Sequence, residues 1–162
     1  MKTPAILEFS LDRSMTPPSS LPYAGDITPA QAWERLAADP NIQLVDVRTV
    51  AEWNFVGLPD LSALGRHVHC VEWQGFPSGA QNPSFVGQVT QAVLNAGAVQ
   101  DTPVLLLCRS GARSRAAAIA LTAAGFTQAF NIAGGFEGDP DPERHRGTIN
   151  GWKASGLPWR QG

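Results

Sequence analysis

The chain reads as one α/β domain built on a central, mostly parallel β-sheet flanked by helices on both faces. Short apolar runs alternate with stretches of helical pattern along most of the sequence, the order in which parallel strands are joined by crossover helices. One run, Ile42 to Val47, is almost continuously apolar, as expected of a strand covered on both sides. A length of 162 residues, 43% of them apolar, suits a single domain with a core of its own.

Residues 1 to about 25 are rich in Pro and Ser, with one short apolar piece from Ala5 to Phe9. They are read as an N-terminal extension, partly disordered or supplying an edge strand. The domain proper is placed at residues 26–158, with 159–162 as a tail. Thr28, Pro29 and Gln31 spell a capping box with proline at the first helical position, opening a helix through Trp33 and Leu36 to about Ala38. After the strand Ile42 to Val47 come a short helix, Thr49 to Phe55, irregular chain from Pro59 to Gly65, and a strand from Arg66 to Val71. A loop from Trp73 to Pro83 leads to a helix from about Ser84 to Asn95, with Gly97 just past its end. Pro103 to Leu107 is the next strand. An alanine-rich helix runs from Arg113 to Ala124 and stops at Gly125, where Phe126 is placed for the accompanying apolar contact. Ala129 to Ile132 is the last expected sheet strand. Beyond Gly134-Gly135 the chain is polar and Pro-rich to Arg146, and a final helix is predicted over Thr148 to Ala154.

Composition excludes several functions. A net charge of -2 gives no electrostatic case for nucleic acid or an anionic membrane surface. No apolar run approaches the ~20 residues of a membrane span. The first twenty residues lack the basic start and apolar core of a signal peptide. Two cysteines form neither a disulfide framework nor a metal-knuckle pattern. A reducing, cytoplasmic setting is expected.

Chemistry concentrates at Cys108-Arg109-Ser110-Gly111-Ala112-Arg113-Ser114. This run joins a strand to a helix, where backbone N–H groups converge and the helix dipole is positive. Two arginines add positive charge, and all three effects favour the nucleophilic thiolate. In open α/β sheets ligands bind beyond the carboxyl ends of the strands. Cys108 lies at such an end, and Asp46 and Arg48 occupy the equivalent end of their strand. A thiolate in a ring of N–H donors suits attack on a sulfane sulfur or on phosphate and arsenate. Ring size discriminates between them, because a tetrahedral oxyanion needs a wider cradle than one terminal sulfur. From Cys108 to Arg113 the loop holds six residues, and the next position is Ser114 rather than Arg.

Three blocks together resemble the rhodanese-like domain family of sulfurtransferases. They are Leu44-Val45-Asp46-Val47-Arg48 with Glu52-Trp53; Val104 to Ser114 with its Cys-Arg-Ser-Gly-x-Arg-Ser core; and Leu121-x3-Gly125-Phe126 followed by Asn131-Ile132-x-Gly134-Gly135. They stand in the family order and cover roughly residues 26 to 158. The six-residue loop matches the sulfur-handling form, whereas related phosphatases and arsenate reductases have seven residues with Arg one place later. Val56 to Leu61 departs from the family's usual Gly-His-Ile-x-Gly-Ala. The resemblance implies that Cys108 takes sulfur from a small anionic donor such as thiosulfate and passes it to a thiol or cyanide acceptor; the alternative of a rhodanese-like module that binds a partner and catalyses nothing needs neither the retained Cys108 nor a complete loop. No cofactor is implied beyond the covalent persulfide, and any protein acceptor is unspecified. Loop N–H groups from Arg109 to Arg113 would hold the persulfide, Arg109 and Arg113 would orient the donor, and Ser110 and Ser114 can donate hydroxyl hydrogen bonds.

Other polar and aromatic residues take plainer readings. Asp46, Arg48 and Glu52 are expected as a structural ion-pair group supporting the site. Cys70 is expected in the core. His67 and His69 share one strand face but fall short of a zinc ligand set, and no metal site is expected. Asp139 and Asp141 are read as part of an ordinary loop, and Arg115 as surface. The five tryptophans are expected as core or rim packing, with Trp73 alternatively at the mouth of the site.

Overall fold

The computed structural model describes residues 21–161, so Ala5 to Phe9 lies outside the described residues. In chain order the elements are β1 (Gly25–Ile27), α1 (Pro29–Ala38), β2 (Gln43–Asp46), α2 (Val50–Phe55), β3 (Leu58–Pro59), a 3-10 turn (Ser62–Leu64), β4 (His69–Cys70), α3 (Phe85–Asn95), β5 (Val104–Leu107), α4 (Ala112–Ala123), β6 (Ala129–Ile132) and β7 (Trp159–Arg160). Five strands form one sheet in the order β1-β6-β5-β2-β4, every pair parallel. The strands β3 and β7 pair antiparallel in a separate ribbon.

Strand alternation divides the core into two layers. Val45, Val47, Val104 and Leu106 face α3 and α4, where Phe85, Val89, Ala117, Ala118 and Leu121 meet them. Leu44, Leu105 and Leu107 face the other way, against Ala32 and Leu36 of α1 and against Phe136 and Trp152. This is why β2 and β5 are apolar throughout: both faces are covered.

Local signals set the helix ends. Thr28 and Gln31 exchange hydrogen bonds of 3.1 and 2.9 Å in a complete capping box at α1, and Thr49 with Glu52 does the same at α2. At the end of α3, Gly97 and Ala98 donate to Leu94 and Val93. At the end of α4, Gly125 and Phe126 donate to Thr122 and Leu121. Both are Schellman closures.

Five expectations need correction. The domain starts earlier than residue 26, since Tyr23 is buried and Ala24 N–H donates to Ala129 O at 3.0 Å. The strand predicted over Arg66 to Val71 is only His69–Cys70. Arg66 leaves the sheet to donate to the carbonyls of Leu36, Asp39 and Ile42, and Cys70 is exposed rather than core. Thr148 to Ala154 is turn and bend, not helix. Asn150 is held by Asp139 through side-chain and backbone hydrogen bonds, and Trp152 N–H donates to Gly135 O at 2.8 Å. Finally, Trp159–Arg160 of the expected tail is a strand, paired with Leu58–Pro59.

Candidate active site

Parallel registers bring the key residues to one edge of the sheet. Asp46 pairs with Leu107, and Asp26 pairs with Asn131, so Cys108 emerges among Asp46, Asn131 and Asp26 at the carboxyl ends of four adjacent strands.

The next four residues curl over the sulfur. Gly111 lies at φ +120°, a conformation that glycine tolerates, and its N–H donates to Cys108 Sγ at 3.1 Å. Ser114 Oγ is also 3.1 Å from Sγ, and Cys108 is 1% exposed. Helices α1 and α2 begin with side-chain caps, but no side chain caps α4 at Gly111. The first-turn amides of α4 and its positive dipole end are therefore turned to the cysteine loop.

The outside of the loop is tied down. Cys108 O accepts Phe136 N–H at 2.8 Å, and Arg109 O accepts the N–H groups of Glu137 and Gly138 at 3.0 and 3.1 Å. With these carbonyls held outward, the loop amides are biased toward its interior. Gly135 passes so close that a Cβ there would lie 2.4 Å from Cys108 O and 2.6 Å from Arg109 O.

Charges fall into two groups. Asp46 and Arg48 form a fully buried pair at 2.6 Å, with Arg48 also donating to Gly57 O at 2.8 Å and stacking 4.3 Å from the Phe136 ring centre. Glu52 does not join them. Its carboxylate receives both terminal nitrogens of Arg113, at 2.7 and 2.9 Å. Burial pushes the Glu52 carboxyl up, but the hydrogen bonds and charge of Arg113, helped by Thr49, outweigh it and leave Glu52 below its ordinary value. The Glu52 hydrogen bonds raise Arg113 in turn, with further support from the charges of Glu52, Cys108 and Asp46. Arg113 is thus fixed beside the sulfur but already clasped, while Arg109 has no ion-pair partner among the described residues. Arg109, Arg113 and Arg146 line a cleft of about 700 Å3 with Glu52, Phe55 and Phe76.

Behind the loop lies a chain of polar contacts. Ser114 Oγ is 2.6 Å from Asn131 Oδ1, Asn131 Nδ2 donates to Asp26 Oδ1 at 3.0 Å, and the Tyr23 hydroxyl donates to the same oxygen at 2.9 Å. Ser110, Gly111 and Ala112 wall a second hollow on this side.

The remaining candidates lie away from the sulfur. Although Cys70 is exposed as a residue, desolvation around its sulfur, with Asp46 nearby, pushes the thiol up to about 12, the opposite of an activated cysteine. His69 Nε2 is 2.8 Å from Gln43 Oε1. Asp141 accepts from His145 N–H and the Thr148 hydroxyl. Among the described residues no group of three or more His, Cys, Asp or Glu is placed to hold a metal, and no helix is long and apolar enough to cross a membrane. Trp73 packs edge-to-face on Phe85, 5.1 Å between ring centres, and leaves the cleft to the neighbouring Gln74 to Gly79.

Asn131, Asp26, Gly135 and Arg146 carry site roles that the sequence reading did not assign, and Glu52 pairs with Arg113 instead of joining Asp46 and Arg48 as expected. Asn131 and Gly135 stood in a recognised block, which was a usable signal. Asp26 gave none, because its partner Asn131 is far along the chain.

Comparison with known proteins agrees with this geometry. The family model described as STR4 middle domain matches residues 25–162. The crystal structure of Rv0390 from M. tuberculosis is 52% identical with a TM-score of 0.76, covering 86% of this chain and 99% of that one. An uncharacterized protein of Rickettsia conorii is 33% identical over 136 residues, 83% of this chain and 96% of the relative. The polysulfide-sulfur transferase homodimer from Wolinella succinogenes is 21% identical with a TM-score of 0.51, covering 85% and 78% of the two chains, a likeness of fold.

Proposed function

As the chain belongs to the STR4 middle-domain family of rhodanese-like domains, we propose that it is a sulfurtransferase working through a persulfide on Cys108. One observation carries the reading: Cys108 Sγ receives the Gly111 N–H at 3.1 Å inside a six-residue loop at the uncapped start of α4. Preorganised donors around a buried sulfur favour the charged forms of thiolate and persulfide.

The Cys108 thiolate attacks the outer sulfur of thiosulfate. A new S–S bond forms, the old one breaks, and sulfite leaves with its electron pair. An acceptor thiolate or cyanide then attacks the terminal sulfur, taking it as a persulfide or thiocyanate and returning the Cys108 thiolate. No outside oxidant or reductant is needed. Arg109 supplies the open positive charge for the incoming anion, and Arg113, held by Glu52, adds field without a free fork. That engagement speaks against phosphate or arsenate chemistry, in which the arginine must clasp a tetrahedral oxyanion.

Intact-mass measurement after thiosulfate treatment tests the proposal. The wild type gains one sulfur atom, cyanide removes it, and Cys108→Ser gains none. A gain that survives Cys108→Ser, or no gain in the wild type, overturns it.

A further inference from the structure

One hydroxyl proton beside Cys108 has two acceptors in reach. Ser114 Oγ lies 2.6 Å from Asn131 Oδ1 and 3.1 Å from Cys108 Sγ. A serine carries one O–H and two lone pairs, and an amide oxygen can only accept. The short contact therefore places the Ser114 proton on the Asn131 side and leaves a lone pair toward the sulfur. Asn131 is itself oriented from further away. Its Nδ2 donates to Asp26 Oδ1 at 3.0 Å, and an ionised carboxylate accepts only. Asp26 thus fixes which end of the Asn131 amide faces Ser114. The parallel register Asp26↔Asn131 keeps both residues on adjacent strands, and Tyr23 holds the same carboxylate oxygen at 2.9 Å.

We propose that Asp26 is a positioning residue that, through the amide orientation of Asn131, directs the Ser114 hydroxyl and so sets how readily Cys108 gives up its proton. In the thiol state Sγ–H donates to Ser114 and Ser114 donates to Asn131. When the sulfur is charged the hydroxyl swings to Sγ, and Asn131 loses its donor. Charging the sulfur therefore costs one short hydrogen bond. The thiolate is stabilised less than a Ser114 hydroxyl with no competing acceptor would achieve and keeps more of its nucleophilicity, which declines as a thiol becomes more acidic.

The proposal deepens the sulfur-transfer reading, yet its measurement needs no sulfur donor. The charged and titratable groups facing this corner of the fold are Arg109 and Arg113 on the Cys108 loop, Asp46 at the end of β2 with Arg48 just beyond it, Glu52 of α2, Asp26 of β1 with Tyr23 just before it, and Arg115 of α4. Removing the Asp26 charge therefore has a through-space effect of the same sign, and the test must separate the two.

The ultraviolet absorbance of the thiolate is titrated in a Cys70→Ser background, where Cys108 is the single thiol, with Cys108→Ser as the blank. Asp26→Asn lets residue 26 donate to Asn131, which frees the amide to turn and leaves the Ser114 proton to the sulfur. The midpoint is expected to fall by about one pH unit, the scale of one hydrogen bond to a charged group. The same change made on Ser114→Ala is expected to move the midpoint by clearly less, since only the through-space charge effect is then left. Asn131→Leu, which removes the competing acceptor and keeps Asp26, is expected to lower the midpoint as Asp26→Asn does. A shift of the same size without Ser114 is a charge effect alone and overturns the proposal, as does an Asp26→Asn midpoint equal to that of the parent. Loss of sulfur loading with these midpoints intact would instead count against the sulfurtransferase reading alone.

Discussion

Glu52 grips Arg113 through two parallel hydrogen bonds of 2.7 and 2.9 Å, tying α2 to the cysteine loop across 61 residues of sequence. Both side chains keep roughly a fifth of their surface exposed, so the pair matters more for placement than for stability.

Replacing Glu52 by Gln should accordingly cost only about 1 kcal/mol of folding stability. The rate of sulfur loading should fall more, by about tenfold, because a released guanidinium no longer holds one position beside Sγ. Thermal unfolding and time-resolved intact mass read the two effects separately. A loading rate equal to wild type would show that the pairing does not serve the site.

Gly135 leaves no room for a side chain against the cysteine loop. Gly135→Ala forces a Cβ against Cys108 O and Arg109 O from a backbone at φ +62°. We expect a loss of about 3 kcal/mol and no detectable sulfur loading. Gly147 has φ +89° with open space around it, and Gly147→Ala should cost only about 1 kcal/mol. Equal losses in the two variants would remove the argument from close approach.

Stability should fall with mild acid through His69. Desolvation, with positive charge from Arg66 and His67, holds this imidazole below its ordinary value. The unfolded chain then binds the proton at higher pH than the folded one. The contribution is whole above about pH 6.5 and is lost as pH drops from there through the folded value. Melting temperatures measured across this range should slope in the wild type and flatten in His69→Gln. An unchanged slope would move the effect to another group.

Phe55 and Phe76 are 78% and 71% exposed at the cleft beside Arg109. Changing both to Ser should alter stability by less than about 0.5 kcal/mol and leave sulfur loading from thiosulfate intact. For a bulky thiol acceptor, KM is expected to rise severalfold, the outcome that contact with these two rings requires. Steady-state kinetics with cyanide as the small acceptor provides the reference.

The legible parts of this protein are those whose causes are local. Thr28 and Gln31 announce α1, Gly97 and Gly125 close α3 and α4, and Cys108 to Ser114 identifies its own loop. What the sequence hid arises from contacts across the fold. Asp26 and Asn131 meet over 105 residues, and Glu52 turns from its near neighbour Arg48 to the distant Arg113. Cys70 had a core pattern, but β4 is an edge strand of two residues, so its side chain is left exposed. The helix expected at Thr148 to Ala154 lost to side-chain and backbone bonds that fasten Asn150 and Trp152 to the segment bracing the cysteine loop.

The β3–β7 ribbon gives the end of the chain an unexpected mechanical part. Trp152 and Lys153 are bonded to Gly135 and Phe136 behind the cysteine loop, and Lys153 Nζ also reaches Val56 O at 3.1 Å. A few residues later Trp159 and Arg160 lie along Leu58–Pro59, just past α2. A single belt thus buckles the back of the Cys108 loop to the helix that carries Glu52. Nucleophile loop and carboxylate helix share one anchor, supplied by residues late in the chain.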